Sequence, residues 1–303
     1  LFEKTNQNKK LEKIISEANI KFVNNLVVQL FYGKYLYNEE KYSNAINVLE
    51  GIKFSENQLH RERSKCLILA KSYDKTGNYQ QAFEYFKITN NINNSTKNKN
   101  INKNNVFKTI EERVNFLKEI NNTKWNAPNI EDYIEKPIFM IGFPRSGTTL
   151  LDTILRSHPS IDVIEEKPLV KNLIIETRKL TKNNIQNLKN IKNQEIQELR
   201  KHYFENRNKH LGKKNNCEII IDKMPLNIIH IAEIIRVFPD AKFIVSLRHP
   251  YDCVLSCYMQ SFKLNDAMSN FLNLKDASNL YNQVMDLWTK YIQIFDFKYH
   301  EIK

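Results

Sequence analysis

The sequence has no run of eighteen apolar residues, so an apolar membrane-spanning helix is excluded. Its four cysteines, Cys66, Cys217, Cys253 and Cys257, form no Cys-x-x-Cys pair. Cys253 and Cys257 share a helical face but no histidine joins them at zinc-ligand spacing. Free thiols in a reducing, cytoplasmic setting are therefore expected, with no metal. The chain begins at Leu1 rather than Met, and residues 295–303 stop in mid-pattern. Both ends read as cuts, which leaves an earlier targeting segment open. Glycine is scarce, six in 303 residues, yet two of the six bound a single turn at 142–147.

What is present is globular in character: 41% hydrophobic and 26% charged residues, with length enough for two cores. The net charge of +12 draws anionic ligands and nucleic acid alike, so charge alone does not choose between them.

Residues 1–28 carry apolar side chains at helical spacing, among them Ile14, Ile15, Phe22, Val23 and Leu26. A repeat follows. Gly33, Tyr42, Ala45 and Leu49 are matched by Ala70, Tyr79, Ala82 and Phe86, each 37 positions later. Small residues at 33, 45, 70 and 82 would let paired helices approach, with Tyr42, Tyr79, Leu49 and Phe86 filling the gap between them. Such pairs look like tetratricopeptide (TPR) units, whose period is about 34 residues. As about three are needed for stability, residues 1–28 are expected to belong to a preceding repeat. The array could dock an acceptor protein or serve as scaffold. Residues 91–105, rich in Asn and Lys, read as a linker. No aromatics interleave their lysines, so nucleic-acid binding is not expected. The boundaries that result are a helical domain over 1–90, the linker over 91–105, and a second, C-terminally truncated domain over 106–303.

The second domain is organised around residues 137–167. The apolar run Ile138-Phe139-Met140-Ile141 reads as a buried strand, Gly142 to Gly147 as a turn, and 148–155 as a helix with Leu150, Leu151, Ile154 and Leu155 at helical spacing. A strand, a Gly-bounded turn and a helix start converge backbone N–H groups and a positive dipole end on one point, which suits an anion. The Gly142-x4-Gly147 spacing is that of nucleotide-triphosphate loops, but Thr148 stands where their lysine should be. That lysine reaches the β/γ-phosphates, so its absence argues against an ATP- and Mg²⁺-dependent kinase. Arg145, inside the turn, offers a forked guanidinium instead.

Strand candidates at 161–164, 218–221 and 241–247 alternate with helices at 169–180, 191–211, 228–235 and after 250. The alternation predicts an α/β domain, a P-loop-type parallel sheet covered on both faces. Ligands in such sheets sit beyond the carboxyl ends of the strands. Arg145, Lys223 and Arg248 all fall there.

At this point a family resemblance enters. Phe143-Pro144-Arg145-Ser146-Gly147-Thr148-Thr149-Leu150 resembles the 5′-phosphosulfate loop of sulfotransferases, whose donor is 3′-phosphoadenosine 5′-phosphosulfate (PAPS). The fuller run 144–166 is similar to tyrosylprotein sulfotransferases and to bacterial sulfotransferases with TPR repeats. The resemblance spans about 137–300, and more loosely 20–90. It implies transfer of a sulfuryl group to a hydroxyl, most of all a protein tyrosine, with a carbohydrate or small alcohol as the second choice. By the resemblance, Arg145, Ser146, Gly147, Thr148 and Thr149 would hold the 5′-phosphate and sulfate. Lys223 would stabilise the bridging oxygen. Arg248 and Ser256, eight apart, match the 3′-phosphate signature. Glu166, 21 residues beyond Arg145, stands where the family has its base; beside Glu165 it forms a like-charged pair, which raises the pKa of one member. Glu165 remains an alternative base, and His158 and His249 are the nearest histidines. Two departures stand out: Lys167-Pro168 replaces the Thr-Arg that follows the pair in the tyrosylprotein enzymes, and the family's further donor-binding loop falls beyond Lys303, so weakened donor binding is expected. A repeat-based adaptor with a decayed site is the non-catalytic rival.

Overall fold

The computed structural model describes residues 8–120, 136–211 and 217–303; the lead-in expected over 125–135 lies outside them. The chain divides into two compact units, Leu1–Ile101 and Asn102–Lys303.

Among the described residues the elements of the first unit are helices: α1 (Asn8–Lys21), α2 (Leu26–Asn38), α3 (Tyr42–Glu50), α4 (Leu59–Lys75) and α5 (Tyr79–Thr96). Asn25 caps α2, its side-chain oxygen accepting from Val27 and Val28 N–H at 3.0 and 3.2 Å. Gly33 lets α2 and α3 touch, since a Cβ there would stand 2.4 Å from the Leu49 side chain. Ala45, Ala70 and Ala82 are buried as the repeat spacing led us to expect, together with Leu49 and Phe86. Tyr79 is not. It is 70% exposed, because it stands in the first turn of α5, ahead of that helix's buried face of Ala82, Phe86, Thr89, Asn90 and Asn93. The same face corrects the linker: α5 runs on to Thr96, so 91–96 are helical despite their polar composition. Asn93 is buried against α4, where Arg63 donates to its side-chain oxygen at 2.9 Å. Tertiary hydrogen bonding here overrides a weak local propensity.

The second unit contains α6 (Asn104–Ile120), β1 (Ile138–Gly142), α7 (Thr148–Arg156), β2 (Ile161–Glu165), α8 (Leu169–Leu180), α9 (Asn193–Asn208), β3 (Ile219–Lys223), α10 (Ile231–Val237), β4 (Lys242–Ser246), α11 (Pro250–Tyr258), α12 (Leu274–Ile294) and β5 (Lys298–Ile302). Residues 104–105 of the expected linker thus already belong to α6. All five strands are parallel, in the order β2-β3-β1-β4-β5. Alternation along β1 explains the layering. Phe139 and Ile141 enter the larger core with Tyr203, Phe238 and Phe243, while Met140 faces Val163, Ile221 and the α7 residues Leu151 and Leu155. Helices cover both faces, as a parallel sheet requires.

The helix expected over 228–235 is broken. Pro225 opens a 3-10 turn, Pro225–His230, and α10 starts only at Ile231. β5 and α12 complete the unit; neither was anticipated. No helix among the described residues is long and apolar enough to cross a membrane.

Candidate active site

The chain leaves β1 toward β2 on one side and β4 toward β5 on the other. A crevice therefore opens beyond the carboxyl ends of β1 and β4. The ends of these strands touch closely: Gly142 pairs with Ser246, and a Cβ on Gly142 would lie 2.6 Å from the Ser246 carbonyl oxygen. Only glycine fits there.

The turn that follows is anchored from below. Phe143 is buried edge-on against Phe271 and Tyr281, with ring centroids 5.7 and 4.9 Å apart. Ser146 N–H donates to the Phe143 carbonyl at 3.1 Å, and the Ser246 hydroxyl donates to the Ser146 carbonyl at 2.8 Å. Arg145 (φ 68°) and Gly147 (φ 100°) both take the left-handed conformation, and Gly147 leads directly into α7. For a non-glycine this conformation costs about 1–2 kcal/mol. The strain at Arg145 is held by the contacts around it, as is common at ligand-binding turns. The first N–H groups of α7 have no carbonyl within the helix and open toward the turn. The Ser146 hydroxyl is buried and has no hydrogen-bond partner. A buried donor left in this way within a cradle of N–H groups suits an oxyanion.

Helix α11 gathers the remaining cations. Its Ser256 accepts a hydrogen bond from Arg145 Nε at 3.0 Å, and its Cys257 thiol donates to the Pro144 carbonyl at 3.4 Å. Arg248, two residues past β4, reaches back to the Arg145 carbonyl with Nη1 at 3.4 Å and pairs with Asp252 at 3.3 Å. Arg145, Arg248 and Ser256, distant in sequence, stand together. Burial pushes the Cys253 thiol up to about 11 and Cys257 further upward, so neither is a nucleophile.

Lys223 ends β3, beside β1, and its side chain is wholly buried among carboxylates. Its Nζ donates to Glu165 at 2.8 Å and to Glu166 at 3.4 Å, and lies 3.8 Å from Asp152. Glu166 leaves β2 with φ 50°, its N–H bound to the Lys223 carbonyl at 2.8 Å, and its side chain is 57% exposed. Of the five non-glycine residues with positive φ among those described, two are Arg145 and Glu166. At Glu165 the effect expected from a like-charged neighbour is reversed: the hydrogen bond from Lys223 holds this carboxyl below the usual carboxylate range, against desolvation, with help from Arg156 and Lys167.

Of the histidines, His158 follows the far end of α7 and accepts from Ser160 N–H at 3.2 Å, while His249 packs on Tyr251 just before α11. The sequence reading passed over Asp152, Arg156 and Ser246. The i,i+4 spacing of Asp152 and Arg156 on a predicted helix was the available signal. Among the described residues no group of three or more His, Cys, Asp or Glu is placed to hold a metal ion.

Fold and site together define a sheet enzyme with a phosphate-type anion turn lacking the triphosphate lysine. Comparison with protein families matches residues 137–303 to the sulfotransferase family. The chain belongs to that family. It is also similar to an uncharacterized protein of Aquifex aeolicus (strain VF5), 29% identical over 180 residues, a match covering 55% of this chain and 23% of that protein. The chain thus spans less than a quarter of the length of that relative.

Proposed function

We propose that this chain carries a PAPS-dependent sulfotransferase that acts on a hydroxyl group, with protein tyrosine as the first-choice acceptor. The observation that carries the reading is the meeting of Arg145 with Ser256 at 3.0 Å and of Arg248 with the Arg145 carbonyl at 3.4 Å. One bisphosphorylated nucleotide could engage all three positions at once.

PAPS would supply an activated sulfuryl group and a nucleotide bisphosphate as leaving group. Arg145, the N–H groups around Gly147 and the hydroxyls of Ser146, Thr148 and Thr149 hold the 5′ end. The unpartnered Ser146 hydroxyl favours this. Arg248 and Ser256 bracket the 3′-phosphate. Lys223 has three N–H donors and two carboxylates within hydrogen-bond distance, which leaves one donor for the leaving oxygen. Glu166, held by Lys223 at a looser 3.4 Å where Glu165 accepts from it at 2.8 Å and also faces Arg156, takes the acceptor's proton. Positioning and electrostatics then supply most of the acceleration, with no metal in the step. Tyrosine is preferred because the 21-residue interval from Arg145 to Glu166 resembles the tyrosylprotein enzymes, and because a helical unit suited to docking a protein precedes the domain.

Titration calorimetry tests the reading. Adenosine 3′,5′-bisphosphate should bind without Mg²⁺ and more tightly than ATP; equal affinities, or a requirement for metal, would discard it.

A further inference from the structure

Behind Lys223 lies a ring of charges that the donor-binding roles do not use. Asp152 and Arg156 stand one turn apart on α7. Arg156 grips Asp152 through two hydrogen bonds, Nε to Oδ1 at 2.5 Å and Nη2 to Oδ2 at 2.9 Å. The same Nη2 lies 3.8 Å from Glu165 Oε2. Glu165 accepts from Lys223 at 2.8 Å, and Lys223 closes the ring 3.8 Å from Asp152. Around it the charges alternate: Asp152, Arg156, Glu165, Lys223. Glu166 hangs outside, on Lys223 alone.

Asp152 is 3% exposed. A carboxylate that deep is costly unless it is paired, and replacing such pairs by apolar residues is often neutral or stabilising. Stability alone is therefore a weak reason for its presence in the first turns of the helix that opens at the donor turn.

We propose that Asp152 is a positioning residue for sulfuryl transfer: by holding Arg156 it fixes how the Lys223 ammonium is divided between Glu165 and Glu166. This rests on the roles assigned above to Lys223 and Glu166. Among the anionic neighbours of Arg156, Asp152 is in full contact and Glu165 at arm's length, with Asp162 acting at longer range. With Asp152 neutralised, the guanidinium closes on Glu165, for which a forked pairing is the preferred geometry. Glu165 then turns from Lys223, and the ammonium moves to its next partner, Glu166. A full ion pair there lowers the proton affinity of the base and withdraws the ammonium from the leaving oxygen.

The charged groups facing Lys223 are few. Helix α7 contributes Asp152 and Arg156, and β2 with its following residue contributes Glu165 and Glu166. Asp162 acts on Arg156 and Lys167 on Glu165 at longer range. From β1 the cross-strand partner is Met140, which does not titrate. Asp222, next to Lys223, projects to the other face, where Tyr203 donates to it.

The test uses the full chain with Asp152→Asn, Arg156→Gln and the double variant. Three readouts are taken: calorimetry with adenosine 3′,5′-bisphosphate, carboxyl ¹³C titration of Glu165 and Glu166 by NMR, and transfer of labelled sulfate from PAPS into a lysate. Asp152→Asn should keep bisphosphate affinity within about threefold, move the Glu166 midpoint to lower pH and slow transfer by about tenfold or more. The double variant removes the competing guanidinium as well. Glu165 returns to Lys223, and both the Glu166 midpoint and the rate should recover most of the way, a non-additive result. An unmoved Glu166 midpoint in Asp152→Asn, or a double variant as impaired as the single one, overturns the proposal. If the unaltered chain fails to bind the bisphosphate, the PAPS-dependent reading on which this rests falls, an outcome distinct from the other two.

Discussion

Two clusters of buried charge stand in the second unit, and they differ in one respect that separates structure from chemistry. In the first, Arg113 of α6 forms an ion pair with Glu233 of α10, and also donates to the Thr109 carbonyl at 2.9 Å and to Glu112 at 3.2 Å. Both charged side chains of the pair are sealed, 2% and 4% exposed. Burial would raise the Glu233 carboxyl, but the Arg113 guanidinium, aided by His230, outweighs it and holds the group down to about 2. The second cluster, around Lys223, is as deep at its cation but ends at a strand terminus, with Glu166 open to solvent and held at a looser 3.4 Å. Deep burial and charge mark both clusters. The Gly-bounded turn and the strand ends mark only the second, where both carboxylates that accept from the cation reach solvent, Glu165 at 48% and Glu166 at 57% exposure.

That contrast can be broken. Glu166→Gln should leave bisphosphate binding unchanged and cut transfer by about 10²–10⁴-fold, the usual contribution of a positioned proton acceptor. Single-turnover transfer from labelled PAPS measures it, and unchanged turnover would move the base elsewhere. In the sealed cluster the corresponding loss is of stability: Arg113→Met strands the Glu233 carboxylate and should cost about 3–5 kcal/mol by urea denaturation. Adding Glu233→Leu should recover much of that cost. An Arg113→Met variant as stable as the original chain would deny the pair its structural role.

The smallest effect concerns a third buried acid, Asp222, which forms no ion pair among the described residues. Burial pushes its carboxyl up to about 7, opposed by the hydrogen bond from Tyr203 at 3.1 Å. A carboxyl with a raised folded pKa favours the fold below its unfolded pKa, and that contribution is lost as pH climbs toward about 7. Asp222→Asn should therefore raise the melting temperature relative to the unaltered chain at about pH 8, the gain shrinking toward about pH 4. Equal shifts at both pH values would exclude ionisation as the cause.

Much of the site could be read in the sequence because its parts are local. Gly142, Arg145, Ser146 and Gly147 lie within six residues, and their closeness follows from the turn they must make. The eight-residue interval between Arg248 and Ser256 sits at one helix start in the same way. The ring around Lys223 was harder to see. Asp152 and Arg156 drew no notice in the sequence, because their partners arrive only when β2 and β3 align Glu165 with Lys223 in register. The helical extent of α5 was missed for a similar reason, since Asn93 is helical by virtue of what Arg63 offers it from another helix. The five residues of β5, KYHEI, carry little apolar signal because an edge strand needs less of it.

Sequence alone determined that a strand, a Gly-bounded turn and a helix would form an anion cradle without the triphosphate lysine, since short-range sterics and hydrogen-bonding needs decide such things. Tertiary structure alone decided how closely the side chains of the site meet: Arg145 Nε on Ser256 at 3.0 Å, and Lys223 shared between Glu165 at 2.8 Å and Glu166 at 3.4 Å. Those outcomes depend on strand order, which brings β4 beside β1 and β3 beside β2, and so on charges separated by dozens of residues meeting at distances of a few ångströms.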